Sequence, residues 1–513
     1  MSLFDHGISL NYAFSGAYPY HLNSTLGDTP LRFTRRNTVT LLFFVGTVFP
    51  AVQGFCAEKS LAEKLDKLVV ASGLKKGDLG LSVAVLRSEK SGAVYQLNAD
   101  QQRLPASLTK IATAYAVLKR LPGDFKVSTQ LLTSAPSEKG EIKGDLILKG
   151  HGDPAFVSEH LWVLVGKLHR SGVRKILGDI VVDDTYFDQQ RFDPSRTQTR
   201  EDRAYDAPVG AMSFNWNSVT IYASPAANAG DPMDVQAEPM SDYVQLTNRT
   251  QTRRRGQSKN LSTSRSDRSD DQVGDQFIIK GGIAVGEDEK RLYRSVRYPG
   301  LWSGYNLKAF LEDQDIMVTG RVRKAQAPSS ARVLVEQESK PLREMVADLM
   351  KFSNNFVAEM LTKHLSIVAG ETPGNLSSGM QSIVSELVKA GIPKDRFQLI
   401  NPSGLTRRNK MAPSDLRKVL EEAYRDFRIS SEFVSSLPVA GTDGTLERRM
   451  PQVKGWVRAK TGLLSGVAGL AGYAGRPNGE IHVFSFIFNG SNKQRWSAME
   501  LFDRLAAQLA DEE

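Results

Sequence analysis

The stretch "LPASLTKIATAYAVLKRLP" (Leu104 to Pro122) decides how the rest of the chain is read. Ile111, Ala114, Tyr115 and Leu118 recur at helical spacing, and Leu121-Pro122-Gly123 ends the pattern. The spacing predicts a helix opening at Ser107, with Ser107 and Lys110 in its first turn and on one face. Two roles compete for that serine. As an N-cap it would contribute about 1 kcal/mol to the helix. As a nucleophile it would use Lys110 as base, because a lysine among apolar neighbours loses solvation and keeps a neutral amine. Free N–H groups at the helix start also favour negative charge at the hydroxyl. The Ser-x-x-Lys pair does not settle this alone, since "SGLK" (Ser72 to Lys75) matches too and runs into a surface turn.

Two distant motifs change the balance. "KFSNNFVAEM" supplies Ser353 and Asn355 at a helix start, and "VRAKTGLLSG" supplies Lys460, Thr461 and Gly462 on a strand edge. Ser-x-Asn recurs at Ser213 and Ser258, but Lys-Thr-Gly occurs once.

Before this stretch, "KSLAEKLDKLVVASGL" places Leu61, Leu65, Leu68 and Val69 on one helical face. The strands "LSVAVLR" and "AVYQLN" follow, joined by the turn "SEKSG". From 123 to 334 the texture becomes short β-like runs: "VSTQLLTS", "GDLILKG", "GDIVVDD", "SVTIYA" and "DQFIIKG". One helix, "SEHLWVLVGKLHRSG", interrupts them, and the polar stretch around 250–275 reads as a mobile loop. Helices return with "KPLREMVADLMKFSNNFVAEMLTKHLSIVAG", "MQSIVSELVKAGI" and "APSDLRKVLEEAYRD". The chain ends in the strands "GWVRAKTG", "VAGLAGYAG" and "IHVFSFIFNG" and the helix "QRWSAMELFDRLAAQLA". The expected class is α/β (α+β), an antiparallel sheet flanked by helices with an inserted, mostly β region.

With 513 residues, 41% of them hydrophobic, the chain buries more than one core. Residues 1–57 read as leader and signal peptide, 58–122 with 335–513 as a discontinuous catalytic domain, and 123–334 as the insertion. The signal reading rests on Arg32, Arg35 and Arg36, the apolar run Val39 to Phe49, and small residues before Ala57, with cleavage between Gly54 and Glu58. Export to the periplasm is the expected address. A net charge of +9 comes with no nucleic-acid module, and "TRRRGQSK" (Thr252 to Lys259) reads as a solvated loop. Cys56 is the only cysteine and falls at the cleavage point, so the mature chain offers neither disulfide nor thiol nucleophile. The seven scattered histidines make no zinc pattern, and no metal or cofactor is expected.

The order Ser-x-x-Lys, Ser-x-Asn, Lys-Thr-Gly is the motif set of penicillin-binding proteins and β-lactamases. The β-rich stretch between Ser107 and Ser353 resembles the class C low-molecular-mass penicillin-binding proteins, the S13 peptidase family of D-Ala-D-Ala carboxypeptidase/endopeptidases, penicillin-binding protein 4 type. Class A β-lactamases place these motifs only several dozen residues apart. The blocks "GDLILKGHGDPAF", "DDTYFD", "YDAPVGAMSFNWNSV", "NPSGLTRRNKMAP" and "LPVAGTDGTLERRM" resemble the same family. Two departures are visible: "NPSGLT" stands where the family has Asp-Gly-Ser-Gly-Leu-Ser, and Leu463 where it has Ser or Thr.

The resemblance implies a penicillin-binding/serine β-lactamase-like transpeptidase fold. It also implies acyl transfer from a peptidoglycan stem peptide to Ser107, with Lys110 as base. Ser353 and Lys460 would pass a proton to the leaving amine, Asn355 would hold Lys110 and the substrate amide, and Lys460 with Thr461 would bind the terminal carboxylate. Gly462 would admit the substrate, and the N–H groups of Ser107 and Leu463 would form the oxyanion hole. The implied partners are peptidoglycan stem peptides and β-lactams, with peripheral membrane or wall association open and oligomeric state unassigned. The alternatives are a serine β-lactamase, for which no base for the deacylating water is visible, and a non-catalytic wall-binding scaffold, which has no use for six intact polar residues.

Overall fold

The computed structural model describes residues 60–86, 93–196, 202–257, 260–268 and 273–511. The leader, its signal segment and the "SEKSG" turn lie outside them. From Lys59 onward the chain forms one compact unit.

Its centre is a five-stranded antiparallel sheet ordered Ala93–Leu97, Leu79–Val85, Ile481–Asn489, Val467–Gly475, Val457–Leu464. The middle strands "VAGLAGYAG" and "IHVFSFIFN" are near-continuous apolar runs because helices cover both faces. Helices α1 (Leu61–Ala71) and α10 (Arg495–Ala510) close one face around Leu65, Val69, Phe486 and Phe502. The other face carries α2 (Thr109–Arg120), and its core takes in the helices that follow the β-rich region.

The expected insertion has a hydrophobic core of its own, running in sequence from Leu131 to Val322 with Trp302 and Tyr243 fully buried. Its main sheet is ordered Val322–Lys324, Ile180–Asp183, Leu146–Gly150, Ser128–Thr133, Arg332–Glu338. The last strand straddles the expected boundary at 334/335 and pairs with Ser128–Thr133, so this sheet runs to Glu338. The helix α3 (Ser158–Arg170) forms where periodicity places it.

A second helix, α4 (Pro299–Glu312), was not expected. Its sequence "PGLWSGYNLKAFLE" has two glycines and little amphipathic contrast, since apolar and small residues are buried on most sides. Tertiary burial rather than periodicity makes it helical. The polar stretch expected as a mobile loop contains the strand Ser262–Asp267, antiparallel to Asp275–Gly281. It lies at a sheet edge and is half exposed, so its Ser, Thr and Arg side chains carry no apolar alternation.

After the β-rich region come α5 (Leu342–Lys351), α6 (Asn355–Val368), α7 (Leu376–Lys389), α8 (Pro413–Arg425) and the short α9 (Ser430–Ser436). The helical stretch from Lys340 to Gly370 is broken at Phe352-Ser353-Asn354, so the Ser-x-Asn motif stands at a helix start, as expected. Ser353 takes a left-handed φ of 54°, and Asn354 caps α6 by accepting from Val357 N–H. Every α6 residue from Phe356 to Ser366 is buried, as befits a helix at the centre of a core.

Candidate active site

Ser107 does not cap a helix. It sits inside a 3-10 turn, Ala106–Leu108, and α2 begins two residues later at Thr109. The preceding Ala106 has a φ of 49°, a left-handed conformation that an alanine adopts at a cost. Of the nine described non-glycine residues with positive φ, two, Ala106 and Ser353, lie at or beside a candidate serine. The Ser72 copy of the motif is peripheral: its hydroxyl donates to Val69 O at the end of α1, and Lys75 is exposed.

Lys110 is completely buried and touches three oxygens. Its Nζ lies 2.7 Å from Asn355 Oδ1, 2.5 Å from Ser403 O and 3.2 Å from Ser107 Oγ. A neutral amine has two N–H donors and one lone pair. The amide and the carbonyl oxygens accept only, so they take both donors and leave the lone pair facing the Ser107 hydroxyl. Burial holds the Lys110 amine well below its ordinary range, the positive Lys460 adds to this, and the Glu359 carboxylate opposes it.

Lys460 is also fully buried, and burial brings it down to about 7. It donates to Ser353 Oγ at 2.8 Å and to Thr461 O at 2.8 Å. Thr461 Oγ1 meets Thr445 Oγ1 at 2.9 Å, which places a second hydroxyl beside Thr461. Leu463, half-buried on the same strand, supplies only backbone there. A Cβ at Gly462 would lie 2.8 Å from Pro105 O, so this edge strand runs tightly against the Ser107 turn.

Ser107, Lys110, Ser353, Asn355, Lys460, Thr461, Gly462 and Leu463 therefore converge from the 3-10 turn and first turn of α2, the break before α6 with its first residue, and one edge strand. Four contributors were not read from sequence. The Ser403 carbonyl acts through backbone, which no motif displays. Thr445 lies in the block "LPVAGTDGTLERRM", which resembles the family without displaying which side chain serves the site. Glu359 follows Asn355 by one helical turn and is the acidic residue in the apolar run "FVAEML", a signal that was available. Arg196 comes from the β-rich region, and only the fold brings it near. Among the described residues no group of His, Cys, Asp and Glu is placed to hold a metal ion.

The D-Ala-D-Ala carboxypeptidase 3 (S13) family matches residues 61–509. The chain is 31% identical over 471 residues to the D-alanyl-D-alanine carboxypeptidase of Actinomadura sp. (strain R39), which covers 88% of this chain and 84% of that one. It is 27% identical over 394 residues to the D-alanyl-D-alanine carboxypeptidase DacB of Haemophilus influenzae, 75% of this chain and 80% of the other. Among solved structures, penicillin-binding protein 4 from Haemophilus influenzae aligns with a TM-score of 0.71 at 23% identity, over 86% of this chain and 99% of that chain. The structure of that protein complexed with a novel β-lactam aligns with a TM-score of 0.67 at 24% identity, over 87% and 98%.

Proposed function

The chain is an enzyme of the D-Ala-D-Ala carboxypeptidase (S13) family, and on that premise we propose that it cleaves D-alanyl peptide bonds of peptidoglycan stem peptides through an acyl-enzyme on Ser107. The observation that carries this assignment is the buried Lys110 amine, whose two donors are occupied by Asn355 and Ser403 while Ser107 Oγ stands 3.2 Å away.

Lys110 takes the Ser107 proton as Oγ attacks the carbonyl carbon between the terminal D-alanines. The C–N bond breaks, the acyl group stays on Oγ, and the departing amine receives a proton through Ser353, which Lys460 hydrogen-bonds. The substrate's terminal carboxylate is met by the Lys460 ammonium and the hydroxyls of Thr461 and Thr445. The oxyanion is placed between the N–H groups of Ser107 and Leu463, which the close passage of Gly462 supports. A backbone donor in that role is worth roughly 3 to 4 kcal/mol in the transition state, and it survives the loss of a Ser or Thr side chain at 463. Water then hydrolyses the ester. A β-lactam enters the same route and remains as the acyl-enzyme.

The same residues serve a carboxypeptidase, which releases D-alanine, and an endopeptidase, which separates crosslinked strands. Incubation with a pentapeptide muropeptide and a crosslinked dimer, followed by mass analysis, reads both. Loss of one alanine is expected from the first substrate and two monomers from the second. An untouched pentapeptide contradicts the assignment.

The substrate lies outside the cytoplasmic membrane, and the Arg-rich, then apolar, then small-residue segment from Arg32 to Ala57 supports secretion to the periplasm. N-terminal sequencing of the fractionated protein is expected to begin between Phe55 and Glu58, and a cytoplasmic chain starting at Met1 contradicts export.

A further inference from the structure

Behind Lys110 lies an ion cluster that the chemistry above does not use. Glu359 on α6 is completely buried, and its carboxylate bonds the guanidinium of Arg196 from the β-rich region. Arg196, itself buried, also grips Asp206. The Ser403 hydroxyl lies between Glu359 Oε1 at 3.3 Å and Asn401 Oδ1 at 2.8 Å, and the carbonyl of that same residue holds Lys110 Nζ at 2.5 Å. A continuous path thus runs from the insertion to the general base.

Stability is a poor reason for such a cluster. Desolvating a guanidinium and a carboxylate offsets most of their attraction, and well-packed apolar residues often do as well or better. The pair is also incompletely satisfied, since Arg196 Nε and Glu359 Oε2 find no hydrogen-bond partner among the described residues.

We propose that Glu359 and Arg196 are positioning residues for the general base: their ion pair anchors the Ser403 loop on Lys110 and balances the charge that Lys110 faces. The inserted region thereby takes part in catalysis through one arginine rather than only walling the cleft. This rests on the reading of Ser107 and Lys110 as the acylating pair.

Opposing signs make the inference testable. The charged groups facing Lys110 are Lys460 from the edge strand, Glu359 from α6 and Arg196 from the β-rich region. Glu359 favours the ammonium, whereas Arg196 and Lys460 disfavour it. Asp193 and Lys363 adjoin Glu359, and Asp206 adjoins Arg196. In Glu359→Gln the guanidinium keeps its charge, because arginine does not deprotonate in proteins. Lys110 then faces net positive charge and stays neutral to lower pH.

The experiment is the pH dependence of the second-order rate of acylation by a fluorescent penicillin. In Glu359→Gln the acidic limb is expected to move down by roughly one unit, and in the double variant Glu359→Gln/Arg196→Gln it is expected to return to the wild-type position. A purely structural pair would lower the melting temperature in both variants and leave the limb in place, and that result overturns the inference. Should Glu359→Gln fail to fold, Ser403→Ala decides. It keeps the ion pair, removes the hydroxyl's contacts to Glu359 and Asn401, and is expected to slow acylation roughly tenfold to a hundredfold at temperatures where the variant is folded, with Ser403→Thr recovering most of the rate. Wild-type rates in Ser403→Ala, with Ser107 labelled, overturn the positioning role alone. Failure of the wild type to be labelled on Ser107 overturns the acyl-transfer reading beneath it.

Discussion

At the scale of single residues, the site is governed by two buried lysines that need opposite charge states. Lys110 works neutral, and its depressed pKa means that kcat/KM holds as pH falls until the amine finally takes a proton, well below the range of a free lysine. Lys460 works charged. Its value of about 7 in the free enzyme makes carboxylate binding weaken as pH rises above about 7, so KM is expected to climb there before kcat changes. Lys460→Arg, whose cation persists at every accessible pH, is expected to abolish that rise and to lower kcat, because guanidinium relays a proton poorly to Ser353. Steady-state kinetics with a D-Ala-D-Ala peptide across the pH range check both, and an unchanged KM profile in Lys460→Arg removes Lys460 from carboxylate binding. The six polar residues in these roles were legible in the sequence because the chemistry demands particular side chains. The Ser403 carbonyl was not, since any residue supplies a carbonyl. Arg196 was not either, because its partner Glu359 is close only after folding.

At the scale of elements, the serines are placed by how their helices begin. The spacing identified α2 correctly but opened it at Ser107, whereas the structure interposes a 3-10 turn, Ala106–Leu108, before Thr109. Periodicity senses the buried stripe and is blind to the strained φ of Ala106. Gly404, at a φ of 81°, lies against this turn, and a Cβ there would overlap the Ala106 carbonyl oxygen. Gly404→Ala is therefore expected to displace the Ser403 loop and the Ser107 turn together, costing roughly a hundredfold in acylation rate; acylation at the wild-type rate would show that the loop does not set the geometry. Further along α6, burial lowers His364 to about 4, with its Nε2 2.8 Å from Gly152 O. Between pH 6.5 and about 4 the unfolded chain binds a proton that the native imidazole refuses, so native stability from this group is lost as pH falls, by roughly 3 kcal/mol in all. The neighbouring Asp153, raised to about 7 by burial, has the opposite sign and gains native stability over much of the same window. The difference isolates His364: relative to wild type, the melting temperature of His364→Gln is expected to rise as pH is lowered from 6.5 to 4. A constant difference contradicts a neutral buried imidazole.

At the scale of the whole molecule, a sheet formed from both ends of the chain carries the catalytic strand, and a second core grown between its halves sends one buried arginine back to the site. The texture change after Pro122 revealed that second region because its strands are short and apolar. Its helix α4 and its edge strand Ser262–Asp267 escaped notice, the first for lack of amphipathic contrast and the second for lack of apolar alternation. Trp302, fully buried in the second core, donates from its indole N–H to Phe214 O. Trp302→Ala is expected to cost about 3 to 5 kcal/mol in denaturant unfolding while leaving acylation unchanged at temperatures where the variant is folded. That outcome would separate the packing of the insertion from its electrostatic contact with Lys110. Every role assigned above depends on Ser107 carrying the acyl group. Intact mass analysis after incubation with benzylpenicillin, followed by peptide mapping, is the direct measurement. The expected result is one penicilloyl adduct per chain, confined to the peptide containing Ser107 and absent from Ser107→Ala. No adduct on the wild type, or equal labelling of Ser107→Ala, contradicts it.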